Sequence, residues 1–181
     1  MRRFLDPIYR LAEFLAALQV VAILTIMLLQ VGFGLLDRGA QAFGEPAPGL
    51  SVPAYAEFCG FLLAGSIFLG TAGALRAGAH VRVTLLLGAL PTSAARAMQI
   101  ATSALACILV GYFTICAGEM ALQSWQFGDR SLGAVSIPMW IPQVPMVLGL
   151  AIMTVALADL ALAFLRDAPP PWGETEGFGG E

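Results

Sequence analysis

FLAALQVVAILTIMLLQVGFGLL, residues Phe14–Leu36, contains no charged side chain; Glu13 precedes it and Asp37 follows it. At ~1.5 Å rise per residue, 23 helical residues cover ~35 Å, enough to cross a hydrocarbon core of ~30 Å. Arg2 and Arg3 ahead of it and Ala40-Gln41-Ala42 behind it imitate a cleaved leader. The apolar run of a signal peptide is only ~7–15 residues long, however, so this one is expected to stay as a membrane span.

Three more runs read the same way: Phe58–Leu75, Met98–Leu122 with Glu119 near its end, and Ile141–Leu165 with Asp159 as its one charge. Backbone in lipid has no water to bond to, so each run must be a helix. The expected fold is an all-α integral membrane protein of four transmembrane helices, 14–36, 58–75, 98–122 and 141–165, within a membrane domain 1–166. Composition agrees: 59% of the 181 residues are hydrophobic and 12% charged, about half of the roughly 25% usual in soluble domains.

The remaining chemistry is sparse. All nine basic residues are Arg, and a net charge of −3 gives no reason to expect nucleic acid as a partner. Cys59, Cys107 and Cys116 sit singly in apolar runs and read as small buried residues. One His excludes bis-histidine haem, and no spacing resembles a zinc site, so no metal or cofactor is expected in this chain. The tail 167–181, with its prolines, glycines and acids, is expected to be disordered and cytoplasmic.

Arginines set the expected orientation. Arg2, Arg3, Arg10, Arg76, Arg82, Arg96 and Arg166 fall on one side of the four crossings, and Arg38 and Arg130 on the other. The positive-inside rule places both termini and the connection 76–97 in the cytoplasm, and the loops 37–54 and 123–140 outside. Trp125 and Trp140 bracket the second outer loop, where an aromatic belt belongs.

The connection begins LRAGAHVRVTLLLGALP, residues Leu75–Pro91. As a helix it brings Arg76, His80 and Thr84 to one face, with leucines supplying apolar area. A short interfacial helix over 76–91, its arginines meeting lipid phosphates, is the expected structure. Pro91, Thr92 and Ser93 mark a break and a cap for the next helix. Catalysis is not expected, because His80 has no second His and no carboxylate in its own connection. Glu13, Glu57, Glu119 and Asp159 read as near-interfacial carboxylates or as contacts to a partner helix rather than as ion sites. Two lines of small residues, Ala56-Gly60-Ala64 and Ser103-Cys107-Gly111, permit close helix contact. Pro142 and Pro145 fall at the start of the fourth helix, where proline is tolerated.

Arg76, Gly78, His80, Val81, Arg82 and Pro91 resemble the signature of the small permease subunit, DctQ type, of tripartite ATP-independent periplasmic (TRAP) transporters. Thr84 stands where that family often has Asp. The second loop, QSWQFGDRSLGAVSIPMWIPQVPMVLG, is similar to the family's outer-loop pattern at Trp125, Gly128, Ser131, Ile137, Pro138, Trp140 and Pro145. The resemblance implies a scaffold beside a large permease subunit on a separate chain. That subunit would hold the substrate and, typically, sodium sites, and a periplasmic binding protein would deliver an organic acid. The resemblance thus implies an inner-membrane subunit of a symporter. No substrate-binding or catalytic residue is expected here. Arg76, Gly78, His80, Arg82 and Pro91 become the assembly motif. Asp37, Trp125, Gly128, Asp129, Arg130, Ser131, Pro138, Trp140 and Pro145 become the outer-loop motif, open to docking. The small subunit of a tripartite tricarboxylate transporter, or a self-sufficient four-helix exporter, are the competing readings.

Overall fold

The described residues form four helices: α1 (Arg2–Ala42), α2 (Tyr55–Arg76), α3 (Thr92–Phe127) and α4 (Trp140–Leu165). A computed structural model describes residues 2–76 and 91–166. All four are long and apolar enough to span a membrane, and each contains one of the runs read from the sequence. They extend past those runs because helical bonding continues after hydropathy falls. The interfacial segment expected after Arg76 and the tail expected from 167 lie outside the described residues.

The helices pack in the spatial order α1, α2, α4, α3, with little contact between α1 and α4. This is a row, and its flanks are open. In the most apolar window of α1 and of α3 only 6% is buried, against 35% in α2 and 28% in α4. A bilayer makes such a fold tenable, because lipid covers apolar side chains that water would not. We call the end bearing segments 43–54 and 128–139 the loop end, and the other the termini end.

Each packing step uses a small residue. At α1–α2, a Cβ on Gly73 would collide with the Glu13 side chain. A Cβ on Gly65 would sit 2.6 Å from Gln19 Oε1 and 3.1 Å from Pro145 Cβ. At α2–α4, Gly149 lies against the backbone of Phe68 and Leu69, where an added Cβ would be 2.8 Å from the Leu69 nitrogen. At α3–α4, Thr114 and Thr154 share a hydroxyl–hydroxyl hydrogen bond of 3.0 Å beside Gly111 and Cys107. At the termini end Arg96 donates to the Phe164 and Leu165 carbonyls at 3.5 Å, meeting the negative end of α4.

The line Ser103-Cys107-Gly111 therefore serves packing within the chain. The line Ala56-Gly60-Ala64 does not: Gly60 has nothing near it, and α2 packs through Gly65, Gly70 and Gly73 instead. The N-cap position of α3 is held by Pro91, with no side-chain bond. Pro145 lies inside α4, past the first turn, so the Ile141 carbonyl four residues earlier has no N–H from it to accept.

Register fixes relative depth. Glu13–Gly73 and Gln19–Gly65 bring Gln30 level with the start of α2, where its Oε1 accepts the Val52 N–H at 2.9 Å. Residues 31–42 of α1 thus continue ~18 Å beyond that level. Segment 43–54 returns alongside, and Asp37 Oδ1 accepts the Gly49 N–H at 3.0 Å. Gly44 (φ 76°) and Gly49 (φ 68°) supply the left-handed turns that reversal needs.

Candidate functional site: the loop-end motif and the outward face of α3

The loop-end motif builds a closed knot. Gly128 (φ 66°) ends α3 in the left-handed conformation, and the Asp129 N–H bonds the Ser124 carbonyl at 3.0 Å. Arg130 and Pro138 pair as an antiparallel bridge. The Met139 N–H reaches the Asp129 carbonyl at 2.9 Å, and the Ser131 N–H reaches the Ile137 carbonyl at 2.8 Å. Ser131 Oγ donates to the Val135 carbonyl at 3.1 Å and accepts the Ile137 N–H at 3.3 Å. The knot projects Leu132 fully into the surroundings, and Phe127 and Trp125 are exposed beside it.

The outer-loop residues divide by role. Gly128, Ser131 and Pro138 shape the knot, Trp140 begins α4, and Pro145 packs where Gln19 meets Gly65. The Asp129 and Arg130 side chains are exposed at its surface. Asp37 is half-buried, and its Oδ1 holds the return segment of the other loop. Of the assembly motif, Arg76 closes α2 and Pro91 opens onto α3, whereas Gly78, His80 and Arg82 lie outside the described residues.

Glu57 was not separable by sequence from other helix-end acids. It sits under the knot, packed on Gly133, with Oε2 buried and no hydrogen-bond partner among the described residues. Gln19 Oε1 and Gln143 Oε1 are likewise buried without a partner. Among the described residues no group of three His, Cys, Asp or Glu comes together as a metal site.

Glu119 lies deeper than its place near the end of an apolar run suggested. Gly111 faces Thr154, so eight residues further along α3 Glu119 is level with Met146, one residue from Pro145 and hence with Gly65 in the middle of α2. It is also six residues, ~9 Å, inward of Trp125. Its side chain is exposed on the face of α3 opposite α4, with Tyr112 and Cys116 as neighbours and Gln123 one turn further on.

The family model described as "Tripartite ATP-independent periplasmic transporters, DctQ component" matches residues 55–167, more than half of the chain and all of α2 to α4. Neither a curated protein nor a solved structure matches it.

Proposed function

The chain belongs to the DctQ family of TRAP transporter components, and from that membership we propose that it is the small membrane subunit that scaffolds a separate large permease. The family is a transporter component, not an enzyme, and a component implies partner subunits. In this reading the large subunit carries an organic acid inward on an ion gradient, most simply sodium, and holds the substrate and ion sites. A periplasmic binding protein delivers the acid. The chain resides in the inner membrane with both termini cytoplasmic, which puts the knot and the overhang of α1 in the periplasm.

The observation that supports a scaffold is the open row. α1 and α3 bury almost none of their apolar windows within the chain, leaving two long flanks for a partner and for lipid. The knot, with Asp129 and Arg130 at its surface, is the proposed contact for the binding protein. The assembly motif, His80 with Arg76 and Arg82, would hold a cytoplasmic interfacial helix in place.

Purification of the tagged chain, co-expressed with its neighbouring genes, tests the reading directly. A large polytopic protein should co-purify at equal stoichiometry, and His80→Ala should lose transport and that partner together. A chain recovered alone or as a homodimer would refute the scaffold.

A further inference from the structure

We propose that the outward face of α3, centred on Glu119, is the seat of the large permease subunit and pairs with a hydrogen-bond donor carried on one of that subunit's membrane helices. This rests on the scaffold reading and adds to it a surface and a chemistry.

Four observations meet on this face. Tyr112, Cys116, Glu119 and Gln123 recur at intervals of four, three and four, so they form one stripe along the helix. The stripe lies opposite Cys107, Gly111 and Thr114, the residues that pack on α4, and all four of its members are exposed. Glu119 lies at the level of the middle of α2, so its surroundings on that side are lipid or a membrane partner, not water. No hydrogen bond or ion pair holds its carboxylate among the described residues.

Escape to the interface is awkward for this side chain. Helical side chains lean toward the helix N-terminus, and the N-terminus of α3 is at the termini end, the more distant surface. A carboxylate facing hydrocarbon is costly, and intramembrane acids are accordingly paired or functional. Complementarity selects the occupant: a helix bearing Arg, Lys or a polar N–H or O–H at that depth. A soluble protein cannot reach there. A second copy meeting this stripe about a twofold axis would set Glu119 against its own counterpart, like charge on like.

The test uses the co-expressed complex in lipid nanodiscs. A photo-crosslinking residue at Tyr112 or at Gln123 should capture the large subunit. Glu119→Leu should reduce the large subunit retained by at least tenfold and Glu119→Gln by a few-fold, because the amide keeps hydrogen bonding but not charge. The same variants expressed alone should melt no lower than the native chain, since Leu suits a lipid-facing position. Crosslinks only to lipid, to the binding protein or to a second copy would overturn the proposal, as would full retention of the large subunit by Glu119→Leu. Failure of the native chain to bring down any large subunit would instead overturn the scaffold reading beneath it.

Discussion

At the scale of single residues, glycine decides which helices touch. Gly149 and Gly60 both sit in apolar helices, yet one rests on the backbone of Phe68 and the other faces open space. Gly149→Ala should therefore destabilise the chain by about 1–3 kcal/mol through overpacking, because a backbone carbonyl cannot swing away as a side chain can. Gly60→Ala should leave stability level or raise it by up to about 1 kcal/mol, as Ala favours helix. Thermal unfolding of the two variants in one detergent distinguishes them; equal melting temperatures would mean that α2 and α4 do not cross at Gly149. Residues that act within their own segment keep their meaning inside it: Gly128, Ser131 and Pro138, singled out in the sequence by the outer-loop pattern, shape one turn together. Gly149, Gln19 and Glu57 were not legible in the sequence, because their meaning depends on what another helix brings opposite them. Local pattern carries no helix–helix register.

At the scale of elements, hydropathy located the four described helices, and its runs fall well short of the ends of α1 and α3 while matching the C-terminal ends of α2 and α4 to within a residue. The apolar run of α1 extends to Leu36, and the pairing of α1 with α2 brings the start of α2 level with Gln30, six residues before the end of that run. Apolar composition measures tolerance of lipid; depth is set by the neighbours. The overhang is held by two side chains accepting backbone N–H groups from the return segment. Gln30→Leu removes the acceptor for Val52, so amide exchange at Val52 should accelerate several-fold while the global melt stays within about 1 kcal/mol of native. Unchanged exchange would show that the return segment is held by something else.

At the scale of the whole molecule, family and fold class were legible because both rest on distributed signals: four long apolar runs, two motifs and an arginine asymmetry. The order of the row was not, since nothing in the sequence says that α4 lies between α2 and α3. In the proposed scaffold the outer helices face the membrane partner, and the knot at the loop end of α3 and α4 is the surface offered to the soluble one. Asp129→Lys should then slow uptake in the reconstituted transporter at low salt and do so less at ~150 mM salt, where charges beyond ~8 Å are screened. Native uptake by this variant at low salt would remove Asp129 from the docking surface.

The contact at Gly149 also has a mechanical meaning. A helix seated directly on another's backbone resists sliding along it, because travel of about one turn, ~5.4 Å, would bring Pro145 or Met153, the neighbours of Gly149 on the same face, to the space that only a glycine fits. The two central helices are thus keyed together, and α1 and α3 are each attached to one of them. Axial load on either of the two central helices is therefore passed to the other at that contact.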